Sequence, residues 1–466
     1  MSMNLRLILL MPLLFFQVHL ITANAEWSIL VYMQADNNLC EFADKDMVEI
    51  IKGYQKAVFC DAVNVNTLVQ VDYPQDKKTW RFKIDGAGKI EHGSLTQEMG
   101  ERPVEELVAS AEWVKGNYPA KHYAVILWNH GSGIEDYRKI NTGNARNFNS
   151  IWMDIFDTNI LGVDKVKNIT EKNNIKNNTS DIGLGDLSKS GRGILYDDSE
   201  KTCLTNQGLS IALSQIKNIF GKKIDLVGMD ACLMSMVEVA YEIKDFADIL
   251  VASQETEPGY GWNYSGIIAP LVSAPSVFTS ENLARLIVAS YANFYETTDM
   301  QNYTQSAISL NLLDQLCANI ELVSLNVLEC ITCKSTIVKK ALRTARLNSK
   351  SFESASYVDL HSLYFALREE FTKLRHDAEN EQPTCFGFLN RPSPNYIPAL
   401  DQLVQHLNDG IGLIQNVVFA NVVGVRSNGA HGISIYYPYS ASSIHPSYPN
   451  TAFARNTHWL NMLRSV

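Results

Sequence analysis

The stretch His122–Gly133, HYAVILWNHGSG, and its counterpart Ile224–Met234, IDLVGMDACLM, decide how this chain folds. In each, a short apolar run rich in β-formers halts at a polar cluster. The clusters are Asn129-His130-Gly131 in the first and Asp230-Ala231-Cys232 in the second. Apolar runs of this length, with no in/out alternation, suit strands buried on both faces of a parallel sheet. Outward from these two, Trp27–Gln34 (WSILVYMQ) reads as a third such strand, ending in Asp36-Asn37-Asn38. Further strands are predicted at Val63–Asp72, Trp80–Ile84 and Ile249–Ala252. Helical spacing is predicted at Phe42–Ala57, Val104–Trp113, Leu209–Ile219 and Leu233–Phe246. Strands alternating with helices in this way predict an α/β fold, a mostly parallel sheet covered by helices on both faces. Ligand sites in such sheets lie beyond the carboxyl ends of the strands. Both polar clusters fall there.

The 466 residues are 46% hydrophobic and 19% charged, which excludes a disordered chain. A net charge of −10 argues against a sequence-independent nucleic-acid binder and suits basic substrates. Residues 1–25 carry Arg6, the apolar run Leu7–Phe16 and the small-x-small site Ala23-Asn24-Ala25. That is the pattern of a secretory signal peptide, so the mature chain is expected to start at Glu26 and to be periplasmic or extracellular. No later segment reads as long and apolar enough to cross a membrane. Residues 26–298 form the α/β core, interrupted by an insertion at about 134–193. Ten of the 38 residues from Asn141 to Asn178 are Asn. Loops longer than about 15 residues are usually functional or mobile. Residues 299–466 are mainly helical in pattern, with a Pro-rich break at Gln382–Pro398, and return a late strand, Gly432–Tyr437 (GISIYY), to the core.

If the two decisive strands are parallel neighbours, His130 and Cys232 leave the same edge of the sheet. A cysteine acts as a nucleophile through its thiolate, and histidine is its usual base. Gly131 permits close backbone approach to an oxyanion. Cys232 precedes the predicted helix Leu233–Phe246, whose N-terminus would lower the thiol pKa. The plain alternatives are a buried, inert cysteine and a hydrogen-bonded histidine. Cys330-x-x-Cys333 reads as a structural disulfide or an idle pair, since no thioredoxin-like strand precedes it. G-x-S-x-G, H-E-x-x-H and G-x-x-x-x-G-K-[ST] are all absent, which disfavours a serine hydrolase, a zinc protease and a P-loop ATPase.

Asn129-His130-Gly131 after its strand, and Asp230-Ala231-Cys232-Leu233-Met234 with Glu238 beyond, resemble the clostripain family of cysteine peptidases, of the caspase-like clan. Tyr32-Met33 with Asp36-Asn37-Asn38-Leu39 is similar to the family's opening strand and loop. Ser253-Gln254-Glu255 with Glu257-Pro258-Gly259, Gly261-Trp262 and Tyr264 is similar to a later segment, and Gly432–Pro438 to a late strand. The resemblance implies a caspase-like fold and an Arg/Lys-specific endopeptidase acting on protein or peptide substrates. It implies Cys232 as nucleophile, His130 as general base and acid, and the N–H groups of Gly131 and Cys232 as the oxyanion hole. It implies Asp230 as the substrate-binding carboxylate for Arg or Lys, with Glu255 and Glu257 adding negative charge. The alternatives are a helix N-cap for Asp230 and an ordinary loop for the two glutamates. The resemblance also implies a zymogen that cuts itself between the His and Cys segments, where Arg138, Arg146, Lys189 and Arg192 are candidate sites. No cofactor is required by this reading. Calcium is a further expectation, with Asp181, Asp186, Asp197 and Asp198 as hard oxygen donors outside any EF-hand pattern. A competing reading is an inactive secreted binding protein of the same fold; the presence of both His130 and Cys232 counts against it. With Cys232 reduced, seven of the eight cysteines remain, enough for at most three disulfides.

Overall fold

Apolar runs that lack alternation in sequence still alternate in space, because successive strand residues point to opposite faces. The computed structural model, which describes residues 24–58, 64–74, 78–95, 97–134, 193–380 and 395–466, shows this directly. Its strands are β1 (Ala25–Gln34), β2 (Val65–Asp72), β3 (Thr79–Asp85), β4 (Gly88–Leu95), β5 (Ala120–Trp128), β6 (Gly193–Asp197), β7 (Thr202–Thr205), β8 (Leu226–Asp230), β9 (Ile249–Ala252), β10 (Thr304–Ser309), β11 (Tyr357–Asp359), β12 (Val418–Val423) and β13 (Ser434–Tyr436). Its main helices are α1 (Cys40–Lys56), α2 (Pro103–Asn117), α3 (Asn206–Phe220), α4 (Val237–Ile243), α5 (Tyr264–Ser273), α6 (Ser280–Tyr295), α7 (Leu313–Leu347), α8 (Leu360–Asn380) and α9 (Tyr396–Val417).

Nine strands form one sheet in the order β12-β10-β9-β8-β5-β1-β2-β3-β4. The central five, β9-β8-β5-β1-β2, are mutually parallel, and antiparallel strands close both sides. Trp27, Ile29, Val31 and Met33 of β1 pack with Ala124, Ile126 and Trp128 of β5 in the core beneath α1, α5 and α6. Leu30 and Tyr32 of β1 pack with Tyr123, Val125 and Leu127 of β5 in the opposite core, beneath α2, α3 and the C-terminal helices. The sheet is therefore mostly parallel and sandwiched by helices, as the sequence predicts.

Three local features differ from the sequence reading. The helix expected at Leu233–Phe246 is confined to Val237–Ile243, and residues 231–236 form turns instead. Leu233 sits at φ +63, in the left-handed region, and its N–H is held by the Glu255 carbonyl at 3.1 Å. The late strand Ser434–Tyr436 pairs with β11 in a separate two-stranded sheet, while β10 and β12 are the strands that residues 299–466 place in the central sheet. Third, Leu310–Leu347 is long and apolar enough to cross a membrane by length and composition, contrary to the expectation that no such segment exists. Half of its most apolar stretch is buried, and Leu316, Ile320, Val323 and Val327 pack in the core with α8 and α9. It kinks at Lys334, where φ is −144 and ψ 71. Cys330 and Cys333 on this helix are free thiols, as are Cys40, Cys232 and Cys317. Residues 1–23, the basic residues Arg138, Arg146, Lys189 and Arg192, and Asp181 and Asp186 lie outside the described residues.

Gly228 lies on β8, two positions before Asp230. A methyl group there would meet the Trp262 ring at 2.7 Å. Gly228→Ala is expected to lower stability by about 1–3 kcal/mol, the usual cost of overpacking a core. Urea denaturation of the two proteins measures it.

Candidate functional site

The register of β5 on β8 pairs Trp128 with Asp230, and the Asn129 N–H donates to the Asp230 carbonyl at 3.2 Å. Two residues further along both chains stand His130 and Cys232, which line one cleft at the carboxyl edge of the sheet together with Leu39, Asp230 and Glu257. The structure thus brings together four of the residues expected from sequence. It does not bring in Glu255, which is absent from the cleft lining; its Oε1 accepts N–H groups from Thr256 at 2.8 Å and Glu353 at 3.1 Å. Those bonds turn its carboxylate toward the loop before β11, while its negative charge still acts on Cys232. Asp230 is not a helix N-cap, because α4 begins seven residues later with Met236 as its cap.

His130 is buried, and its Nε2 lies 2.7 Å from Asn38 Oδ1. An amide oxygen can only accept, so Nε2 carries the proton and the neutral ring keeps its lone pair on Nδ1. Burial lowers the imidazole pKa to about 4. The Cys232 thiol is pushed up, first by burial and then by Glu257, Glu255 and Asp230, while the Glu257 N–H, 3.2 Å from Sγ, pulls the other way. The expected help from a helix N-terminus is missing, since α4 starts too far on. The resting pair is neutral thiol and neutral imidazole. Among the described residues, neither the Gly131 nor the Cys232 N–H has a protein acceptor. A methyl group on Gly131 would meet the Cys232 carbonyl at 2.4 Å, so only glycine lets the two loops approach this closely.

Asp230 is buried, and its Oδ2 accepts from the Trp262 N–H at 3.3 Å and the Tyr264 hydroxyl at 3.0 Å. Burial raises its pKa to about 6 against the lowering effect of its bonds to Glu257, Tyr264 and Trp262. Glu257 is raised by burial and by Asp230, and Gln305 Nε2 donates to its Oε1 at 3.1 Å. Two buried carboxyls in contact cannot both ionise cheaply, so they hold a proton between them near neutrality.

A second group of acids lies behind His130, at the ends of β1, β2 and β6. Carboxylate oxygens of Asp36, Glu98 and Asp197 lie within 4.8 Å of one another, all buried. Asp72 is fully buried beside them, with Oδ1 lacking any partner among the described residues. Burial, then Glu98, Asp197 and Asp36, raise Asp72 to about 8. The Gln34 Oε1 is likewise buried and unpaired. This donor set of hard oxygens, with two orphaned atoms, fits a calcium-like cation. Of the four aspartates expected from sequence, Asp197 belongs to it; Asp198 is exposed, and its N–H donates to the Asp36 carbonyl at 2.8 Å.

Sequence reasoning missed Asn38 as the partner of His130, and Asp36, Asp72 and Glu98 as a cluster. It also missed the clamp around Tyr196. Asn37 and Asn129 both donate through Nδ2 to the Tyr196 carbonyl, at 2.9 and 3.0 Å, and both also reach the Gln34 carbonyl. The available signal was the polar run Asp36-Asn37-Asn38 at a strand end, which reads equally well as a plain loop.

A helix-covered parallel sheet with His and Cys leaving adjacent strand ends defines a caspase-like fold. The sequence profile of the Clostripain family matches residues 31–182 and 175–464, and the chain belongs to that family. Clostripain of Hathewaya histolytica is 26% identical over 277 residues, which is 52% of this chain and 42% of that protein's length. A secreted C11 cysteine protease from Bacteroides thetaiotaomicron, solved with an irreversible peptide inhibitor, has a similar structure, with TM-score 0.56 and 17% identity over 92% of this chain and 98% of its own. An inactive zymogen C11 protease from Parabacteroides distasonis is similar at TM-score 0.55 and 16% identity, over 93% of this chain and 98% of its own.

NMR of histidine-labelled protein is expected to show His130 uncharged down to about pH 4, against an ordinary value of about 6.5. Because the folded value is the lower one, stability is lost as pH falls from about 6.5 through about 4. Titration near 6.5 would show that the ring is solvated and that the cleft is open.

Proposed function

We propose that this protein is an exported cysteine endopeptidase that cuts peptide bonds after Arg or Lys. The observation that carries the reading is the strand register that sets His130 beside Cys232 above the Asp230–Glu257 pair in one cleft. The family's membership, and relatives described as cysteine proteases, support the reaction class.

The Cys232 proton passes to His130 Nδ1 as sulfur attacks the substrate carbonyl carbon. Transfer occurs during attack, because the ground state is a neutral pair. Charge developing on the carbonyl oxygen is met by the N–H groups of Gly131 and Cys232; one such donor is typically worth about 2.7–4 kcal/mol. The imidazolium then gives its proton to the leaving amine, and a thioester remains on Cys232. Water, deprotonated by His130, hydrolyses that ester and restores the thiol. Asn38 keeps the ring in the productive tautomer throughout. A guanidinium or ammonium entering the cleft expels the proton shared by Asp230 and Glu257 and pairs with the carboxylates, in bidentate fashion for Arg.

Self-processing between His130 and Cys232 belongs to the same proposal; the zymogen described for a structural relative supports it. So does export with cleavage before Glu26, which the pattern of residues 1–25 supports. Calcium is proposed at Asp36, Asp72, Glu98 and Asp197. When bound it would neutralise these acids and stiffen the β1 and β6 ends that hold Asn37 and Tyr196.

Purified protein is expected to cleave Arg- and Lys-terminated fluorogenic peptides and to run as two fragments on a denaturing gel. Cys232→Ala is expected to do neither; a single band with no hydrolysis in the wild type, even after trypsin nicking, sinks the reading. For these substrates kcat/KM is expected to fall below about pH 6, as the carboxyl pair takes up its second proton. Glu257→Gln should move that limb. Calcium is expected to raise the Tm of Cys232→Ala protein, and Asp72→Asn should cancel the rise; an equal rise in both proteins removes the calcium assignment.

A further inference from the structure

Away from the cleft, β11 ends in Asp359, α8 begins one residue before His361, and His431 lies in the turn that leads to β13. Pairing of β11 with β13 sets Asp359 opposite Ser434, which carries the His431 turn over the start of α8. One donor atom from each of Asp359, His361 and His431 lies within 4.8 Å of the other two. Asp359 is fully buried. Its Oδ1 is 2.9 Å from His431 Nδ1 and accepts the Ser362 N–H at 2.7 Å; its Oδ2 accepts the His431 N–H at 2.6 Å and Gln254 Nε2 at 3.1 Å. The two imidazoles stack at 4.0 Å with 22° between their planes. His361 Nδ1 is buried and has no partner among the described residues. The His431 side chain is 41% exposed, so the group opens to solvent on that side.

We propose that Asp359, His361 and His431 form a transition-metal site, separate from the catalytic cleft and from the hard-oxygen cluster, that takes zinc or a similar borderline divalent ion. Two imidazole nitrogens and one carboxylate oxygen select zinc, cobalt, nickel or copper over calcium and magnesium. Water on the exposed side completes the coordination. Stacked rings do not aim their lone pairs at one point, so binding requires the imidazoles to turn; that torsion is broad and cheap to change. The proton on His431 Nδ1 leaves for solvent as the metal replaces it, so affinity rises with pH. Gln254 and the Ser362 N–H are the outer shell that orients the carboxylate. Gln254 also accepts the Gly432 N–H at 2.7 Å, and its own chain runs on to Glu257 beside Cys232. A bound ion would therefore fasten the start of α8 and the His431 turn to the loop that walls the cleft.

The test uses metal-stripped, full-length Cys232→Ala protein titrated with cobalt(II) and followed by visible absorption. One equivalent is expected to bind, giving d–d bands without thiolate charge transfer. His361→Ala is expected to weaken binding by more than about 100-fold, beyond the about 10–100-fold that loss of an outer-shell partner costs. His361→Ala leaves every Asp359 hydrogen bond in place, so it carries the test even if His431→Ala fails to fold. Excess calcium should displace nothing. Unchanged cobalt binding in His361→Ala, bands dominated by thiolate charge transfer, or no saturable binding each overturn the proposal. The last outcome leaves Asp359 as a purely structural acceptor.

Discussion

The cleft that holds His130 and Cys232 depends on the lateral pairing of β5 with β8. Parallel strands put their carboxyl ends at one edge, and a register of Trp128 on Asp230 fixes which residues emerge together. A shift by one residue would exchange the faces of Leu127 and Trp128 and would part His130 from Cys232. Burial on both faces prevents that slip. Val125, Leu127 and Val227 are fixed in one core, and Ala124, Ile126 and Leu226 in the other. The meeting of His130 and Cys232 is thus a by-product of hydrophobic packing several residues away from either side chain.

The edge created in this way concentrates negative charge. Asp36, Asp46, Asp72, Glu98, Asp197, Asp230 and Glu257 are all buried at or near the carboxyl ends of β1, β2, β5, β6 and β8. Each such carboxylate lost hydration on folding, and several repel one another. The acidity of the chain is therefore partly internal, stored at its working edge rather than spread over the surface. Hydrogen bonding offsets part of that cost: Trp128 donates to Asp46 at 2.7 Å, Gln34 to Asp197 at 2.6 Å and Tyr264 to Asp230 at 3.0 Å. What remains is an edge of net negative potential, with several carboxyl groups held above their ordinary pKa by burial.

The central sheet was legible because strands buried on both faces leave long apolar runs, and these end at polar clusters. His130, Cys232 and Asp230 were legible for the same reason, with the family resemblance supplying their roles. Helix Leu233–Phe246 was misread because Leu233, Met234, Val237 and Ala240 fit a helical stripe, whereas the Glu255 carbonyl and the left-handed Leu233 hold the first turns open. The direction of the Glu255 carboxylate was not legible, since it depends on the Glu353 N–H, 98 residues away. Asp72, Glu98 and Asp359 were invisible as members of polar clusters because each meets its partners only through tertiary pairing, which no local spacing encodes. Helix α7 read as unremarkable, yet it is apolar enough to pass for a membrane span; packing beneath α8 and α9, not composition, accounts for its burial.

The order of the sheet has one last consequence. Strands β4, β3, β2, β1 and β5 all precede residue 135, and β8, β9, β10 and β12 all follow residue 192. The sheet is thus divided into two contiguous blocks by chain position, and the β5–β8 boundary is the seam. His130 and Gly131 belong to one block, Cys232 to the other. Among the described residues the two blocks meet in the central sheet at the β5–β8 pairing, and the β6 end is tied across the seam by Asn37 and Asn129. His130 with Gly131, and Cys232, are thus carried by separate stretches of the chain and meet only where β5 pairs with β8.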